Sequence, residues 1–449
     1  MNPVAEKYAR HVNPQFIKLL GVLGYGRVFE KALDVRVWDD QGREYLDFLA
    51  GFGAVNIGHN HPRLLSRLRD FLDRQPMNLV HVGPCAAAEE LAEALASLAA
   101  PLEIALYASG GGEAVESALK LARAATGRRD FVFCEGGFHG TGFGSLSVMG
   151  DPRMRKSFEP LLEHCHEVPF GDLARLDKAL KRAAAFVVEP IQAEGGVRLP
   201  PPGYLKAARD LCRKAGALLI LDEVQTGLGR TGTMFAYQAE DVVPDVLVLG
   251  KSLGGSLLPV SVALTTKEIH RKAYGAMDKF DLHSSTFAGN ALGCVAALET
   301  LSILNEENLV ANGAARGKQL LDGLQRRLSG HPLVREIRGR GLLVGIDLGP
   351  ADAGWIQSFT RPIVKKVSKS VFGQWASLKL LERGIVCQPA SQQWNVLRLE
   401  PPLTVKAADV DIGVAAVGEV LDEYRGIAPL LKDVAGRLKR QYAKGWAFP

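Results

Sequence analysis

Short apolar runs, each closed by glycine or by a residue able to do chemistry, most constrain what this chain can fold into. Leu218–Leu221 runs into Asp222, Val246–Gly250 into Lys251, and Ile104–Ala108 into Ser109 and the triplet Gly110-Gly111-Gly112. Such runs are too short for helices and suit strands covered on both faces. Phe131–Cys134, Phe186–Val188 and Val260–Leu264 are of the same kind. Helical stretches lie between them: Glu113–Ala125 sets Val115, Ala118, Leu119 and Ala122 at helical spacing. This alternation predicts an α/β fold on a mostly parallel sheet.

Past residue 330 the texture changes. Val334–Ile337, Leu342–Asp347, Ile385–Gln388 and Val396–Leu399 read as shorter strands separated by helices, hence a smaller α+β domain. The expected organisation is an N-terminal segment (1–50: a helix and a strand pair) that joins the small domain, a large domain (51–330), and the small domain (331–425) with a basic insertion at 351–375. A basic tail follows at 426–449, where Ile427, Leu430, Leu431, Val434, Leu438 and Tyr442 share one helical face. A basic amphipathic helix can bind an acidic membrane surface. The expectation here is that it packs its apolar stripe on its own protein.

The net charge is +5, and the tail, with five Lys/Arg against one Asp, holds most of it. The remainder is nearly neutral, which gives nucleic-acid binding no support. No apolar run approaches the roughly 18–20 residues of a spanning helix. The first residues, MNPVAEKYARHVNP, carry no apolar signal core, so a cytoplasmic location is expected. Six scattered cysteines (85, 134, 165, 212, 294, 387) form no CxxC pair and are expected to be free thiols. His164-Cys165-His166 invites a metal reading, but adjacent strand residues point to opposite faces, and no metal is expected.

Three places can do chemistry, and each has a plain structural alternative. The Gly110–Gly112 turn, leading into a helix, lets backbone N–H groups approach an anion, yet glycine turns are common. Asp222 stands where a carboxylate reaches the mouth of an α/β sheet, or is a helix cap or surface acid. Lys251, if desolvated, is a nucleophile toward an aldehyde; otherwise it is a solvated strand-end lysine. A literal GxGxxG at Gly227–Gly232 suggests a dinucleotide fold, but it follows its strand by five residues and leads into no good helix start.

Together these pieces resemble one family. SGGGEAVESALKLAR (109–123), GGFHG (136–140), EPIQAEGGV (189–197), LDEVQTGLGRTG (221–232), LVLGKSLGG (247–255), HSSTFAGN (283–290) and LRLEPPLT (397–404) resemble class III pyridoxal 5′-phosphate (PLP) aminotransferases, in that family's order and spacing. LPPPGYL (199–205) and RLEPPLT are similar to putrescine aminotransferases. The resemblance implies fold type I: a large domain on a mostly parallel seven-stranded sheet plus a smaller α+β domain.

It also implies roles. Lys251 forms the Schiff base and moves the proton, and Asp222 pairs with the pyridine nitrogen. Gln225 bonds the phenolic oxygen, while Phe138 and Val224 cover the two ring faces. Gly111 and Gly112 give N–H groups to the phosphate, and His139 and Glu189 belong to the cofactor pocket. Thr286 reaches the phosphate from a partner subunit, which implies a homodimer with shared active sites. Arg398 holds the carboxylate of glutamate or 2-oxoglutarate, and Glu194 neutralises it when the substrate has none. Two departures bear on substrate: Thr141 stands where ornithine-type enzymes carry an arginine, and Phe52 where they carry a tyrosine. Both suit a terminal primary amine or an aliphatic aldehyde. The competing readings are another class III PLP reaction (decarboxylase, aminomutase or lyase), a nicotinamide oxidoreductase, and a non-catalytic binding protein.

Overall fold

In the computed structural model, which describes residues 2–23, 25–349, 372–424 and 427–443, the chain opens on helices Pro3–His11 and Pro14–Leu23. Strands β1 (Phe29–Leu33), β2 (Arg36–Asp39) and β3 (Glu44–Asp47) follow. The expected helix and strand pair thus fall short by one helix and one strand. Asn13 breaks the helical run, and its Oδ1 accepts from Phe16 N at 3.0 Å to start the second helix.

The large sheet holds β4 (Ile104–Ala108), β5 (Asp130–Cys134), β6 (Cys165–Val168), β7 (Ala183–Val188), β8 (Leu218–Asp222), β9 (Val246–Leu249) and β10 (Ser261–Thr265). Their order is β4-β10-β9-β8-β7-β5-β6. Strands β6, β5, β7, β8 and β9 run parallel, and β10 runs antiparallel to both its neighbours. Every residue of β7, β9 and β10 is buried, as a sheet covered on both faces requires. Strand β6 carries no apolar run; it is an edge strand on which only Val168 is buried, so periodicity does not reveal it. Because β7, β8 and β9 are parallel, their C-terminal ends open on one side of the sheet, and Glu189, Asp222 and Lys251 sit there.

The helix after the glycine triplet spans Gly111–Thr126, two residues earlier than its apolar spacing suggests. Glu113 explains the early start: its Oε2 accepts from Ser109 N at 2.7 Å and ties the first turn back to the strand. The helix buries Ala114, Val115, Ala118, Leu119, Leu121 and Ala122 against the sheet.

After β11 (Val334–Arg340) and β12 (Leu343–Leu348), the expected strand Ile385–Gln388 is two: β13 (Ile385–Val386) and β14 (Gln388–Pro389). With β15 (Val396–Leu399), β14 completes an antiparallel sheet β11-β12-β15-β14. Strand β13 instead pairs parallel with β3, so the N-terminal strands share a sheet with residues past 384. The chain changes sheets at buried Cys387. Of the 351–375 insertion, residues 351–371 lie outside the described residues; the rest opens a helix at 372–382 that buries Phe372 and Trp375.

The tail forms a helix, Ile427–Ala443, against Pro14–Leu23. Leu430 is buried in the main core and Val434 packs on it. Arg437 pairs with Glu382 and lies over the Trp375 ring at 5.8 Å. The stripe is not covered throughout: Tyr442 is exposed, and the side chains of Ile427, Leu431 and Leu438 lie outside the described residues. Among the described residues no helix is long and apolar enough to cross a membrane. Leu430→Ala is expected to destabilise the chain by about 2–5 kcal/mol, read as a lower unfolding midpoint. An unchanged midpoint would show that the tail adds no stability.

Candidate active site

Strand β8 ends on Asp222, which is buried. Its Oδ2 lies 2.8 Å from Nδ1 of buried His139, and its Oδ1 accepts from Val224 N at 3.0 Å. Burial opposes the imidazolium, but the hydrogen bond and charge of Asp222 hold the His139 pKa above its usual value. Glu189, directly after β7, accepts from Phe138 N at 2.8 Å and from Ala193 N at 3.2 Å. Burial pushes its pKa up to about 7 against the pull of His139. Two acids and an imidazole therefore converge behind the half-buried Phe138.

Lys251 follows β9 after Gly250. Its φ of +46° lies in the left-handed region, a conformation that costs a lysine about 1–3 kcal/mol and clusters at functional sites. Nζ donates to Gln225 Oε1. Burial lowers the Lys251 pKa, although the charges of Glu194 and Glu400 oppose the change. A neutral fraction of the amine is thereby available as a nucleophile.

Glycines make room beside it. A Cβ on Gly111 would sit 2.8 Å from Val224 Cγ1, and one on Gly140 would sit 2.7 Å from Gly112 Cα. The start of the Gly111–Thr126 helix, the 140 loop and Val224 can meet only because these positions lack side chains. The free N–H groups and dipole of that helix start favour an anion.

Arg398 on β15 is fully buried. Its Nη1 lies 2.6 Å from Glu194 Oε1, and Glu194 Oε2 accepts from Ser391 N at 2.9 Å. Burial works against the Glu194 carboxylate, but the charges of Arg398 and Lys251 bring its pKa down to about 2. Arg398 Nε lies 2.9 Å from Oε1 of Glu400, likewise fully buried. By charge this is an ion pair; its angle is not that of a hydrogen bond, and Nε and Oε1 have no aligned partner. Nη2 also has none among the described residues. Phe52 lies over the guanidinium at 5.3 Å, held by a turn with positive φ at Gly51, Phe52 and Gly53.

The structure thus gathers Gly111, Gly112, His139, Glu189, Asp222, Val224, Gln225 and Lys251, with Phe52, Glu194 and Arg398 adjoining. Thr141 and Thr286 are exposed within one chain, and the Thr141 backbone N lies 3.9 Å from where a Cβ on Gly112 would sit. The segment before Thr286 lies on the outer face of the glycine helix: His283 Nε2 is 2.6 Å from Ser117 Oγ, and Lys120 Nζ donates to Leu282 O at 2.8 Å. Sequence reasoning missed Glu400. Its signal is spacing, since it stands two residues after Arg398 and strand residues i and i+2 share a face. Gly227–Gly232 is a run of turns whose fully buried Arg230 donates to Leu342 O at 3.0 Å and to Asn56 Oδ1 at 2.6 Å. It locks the core and opens no helix of the dinucleotide-binding kind.

A mostly parallel sheet with a buried acid, a partly buried lysine and a glycine-started helix at one edge defines a PLP-dependent enzyme of fold type I. The family model described as "Aminotransferase class-III" matches residues 24–421, and the chain belongs to that family. It is 34% identical over 452 residues to "Aminotransferase PigE" of Serratia sp. (strain ATCC 39006), an alignment covering 93% of this chain and 53% of the relative. The chain therefore spans about half the length of that curated relative. The ornithine aminotransferase of Toxoplasma gondii, crystallised with partial PLP occupancy, superposes with a TM-score of 0.80 at 31% identity, covering 95% of this chain and 99% of that one. An (S)-enantioselective omega-transaminase from Thermomicrobium roseum does so at 0.82 and 30% identity, covering 94% and 98%. The residues present fit PLP: a side-chain-free cradle at a helix start for its phosphate, and a partly buried lysine of lowered pKa for its aldehyde.

The Glu194 carboxyl, held down to about 2 against an ordinary 4.5, is worth on the order of 3 kcal/mol of stability at neutral pH. Because the pKa is depressed in the fold, that contribution is present above the ordinary value and is lost as pH falls from about 4.5 toward 2. Glu194→Gln is therefore expected to lose less unfolding free energy than the parent as pH drops from about 5 to 3. Parallel losses would show that the pair does not bind protons differently on folding.

Proposed function

We propose that this chain transfers an amino group between a terminal primary amine and a 2-oxo acid, in two half-reactions sharing one pocket. One observation carries the reading. Buried Arg398, paired with Glu194, keeps an Nη2 without a partner among the described residues, in the same cluster as Lys251. A carboxylate arriving at Nη1 and Nη2 can replace Glu194, and Glu194 can return when the substrate has no carboxylate. A one-substrate decarboxylase, mutase or lyase has no need of such an exchange.

Bound PLP supplies an aldehyde carbon and an electron-withdrawing pyridinium ring. Lys251 would hold the cofactor covalently between turnovers, and its freed Nζ would carry the proton from the substrate's amine-bearing carbon to the cofactor's former aldehyde carbon, and back the other way in the second half-reaction. Asp222 keeps the ring nitrogen protonated, with His139 fixing the carboxylate and Glu189 supporting the Phe138 backbone. Gln225, already on Lys251 Nζ, takes the phenolic oxygen. Phe138 and Val224 would cover the ring faces, and the N–H groups of Gly111 and Gly112 would take the phosphate. The partner subunit's Thr286 completes the phosphate site. Exposed Met277, Phe280, Leu282 and Phe287 around that position support a homodimer with shared sites. The expected location is the cytoplasm.

Phe52 and Thr141 set the substrate class. Phe52 lacks the hydroxyl of a tyrosine and Thr141 the charge of an arginine, the groups that would hold the distal end of a diamino acid, so diamines and alkyl amines, or aliphatic aldehydes in reverse, fit better. Arg398→Ala is expected to weaken use of glutamate or 2-oxoglutarate by 2–5 kcal/mol, as truncating a buried charge pair does, and amine use by less, when each half-reaction is followed by cofactor absorbance. Equal losses would make Arg398 structural. Ornithine turning over faster than putrescine or an alkyl amine would overturn the substrate class.

A further inference from the structure

The guanidinium of Arg398 faces two carboxylates, and the exchange described above uses one of them. Glu194 lies on the turns after β7; its backbone oxygen accepts from Gln392 N at 3.1 Å, and its carboxylate is held from the far side by one backbone hydrogen bond, from Ser391 N. Glu400 is held very differently. Its side chain is fully buried, its backbone N–H bonds Phe48 O at 2.9 Å, and its Oε2 accepts from Gln225 Nε2 at 2.8 Å. The positive-φ turn carrying Phe52 lies on top of it, so that a Cβ on Gly53 would be 3.3 Å from Glu400 Oε2. Nothing leaves Glu400 room to swing away from Arg398.

We propose that Glu400 is the fixed counter-ion of Arg398 and thereby a specificity-determining residue, biasing the pocket toward amines and against carboxylates. The proposal rests on the reading of Arg398 as the carboxylate site. When Glu194 is in place, two acids outnumber one guanidinium, and the pocket favours a cationic substrate. When Glu194 leaves, Glu400 still neutralises the Nε side, and the incoming carboxylate meets a pair without net charge. It also finds only the Nη1 and Nη2 end of the guanidinium free. Gln225 extends the same acid to the amine, since it bonds Glu400 through Nε2 and accepts from Lys251 Nζ through Oε1. Glu400 thus also adds negative charge near Lys251, and raises its affinity for a proton.

The test uses the PLP-loaded protein and glutarate, a dicarboxylate that cannot react, with binding read from the cofactor's absorbance. Glu400→Gln keeps an acceptor for Gln225 but removes the charge. It is expected to tighten glutarate about tenfold or more, the order set by a like charge a few ångströms away in a dry site. The KM for 2-oxoglutarate should fall and that for a primary amine rise. The pH midpoint of the bound-cofactor absorbance should move down. Glu400→Asp, which keeps the charge, should retain the parental ratio of amine to carboxylate affinity. Glu400→Ala should shift both in the same direction as Gln, and serves if the Gln protein does not fold. Parental glutarate affinity and KM ratio in the charge-removing variants, with glutarate binding lost in Arg398→Ala, would overturn this inference alone. Unchanged glutarate binding in Arg398→Ala would overturn the carboxylate-site reading beneath it.

Discussion

A lysine amine at the end of a buried strand is tolerable only if the surroundings hold it, and Lys251 is held from three sides. Gln225 accepts from Nζ, the charges of Glu194 and Glu400 draw it toward protonation, and burial with Arg398 pushes it the other way. The outcome is an amine less basic than a free lysine in a position that packing cannot easily vacate. The rest of the site depends on this compromise. The left-handed backbone at Lys251, the extended Gly250 and the close approach of Gly250 to Ser261 and Gly111 are the local means of placing it.

The sheet explains why these groups meet. Asp222, Glu189 and Lys251 are far apart in sequence, but each ends or follows a parallel strand, and parallel strands deliver their C-terminal ends to one edge. The smaller antiparallel sheet then brings Arg398 and Glu400 against that edge from β15. Burial on such a scale needs opposite charges in contact, because an isolated ion in a dry interior is far too costly. Arg398 with Glu194 and Glu400, and His139 with Asp222, are the pairs that meet this requirement.

Much of this was legible in the sequence, for identifiable reasons. Strands β8 and β9 are apolar on both faces, so their abrupt ends at Asp222 and Lys251 stand out without any structure, while Glu189 after β7 is marked only by the family resemblance. Strand β6 stays hidden because an edge strand with exposed His166 and Glu167 has no apolar pattern. The division of Ile385–Pro389 between two sheets is invisible because alternation does not say which neighbour a strand pairs with. Glu400 escaped for another reason. It follows Arg398 by two residues in a string whose resemblance directs attention to the arginine, and only the fold shows the acid to be buried against the guanidinium. Thr286 and Thr141 are exposed within one chain, so one chain alone does not test the roles the resemblance implies for them.

We propose that Lys251, among all the lysines, carries the cofactor. Borohydride reduction of the PLP-loaded protein, followed by digestion and mass spectrometry, tests it directly. One reduced pyridoxyl group per chain is expected, on the peptide containing Lys251, and none in a folded Lys251→Ala variant. A stoichiometric label on any other lysine, or a label that survives in Lys251→Ala, would contradict it.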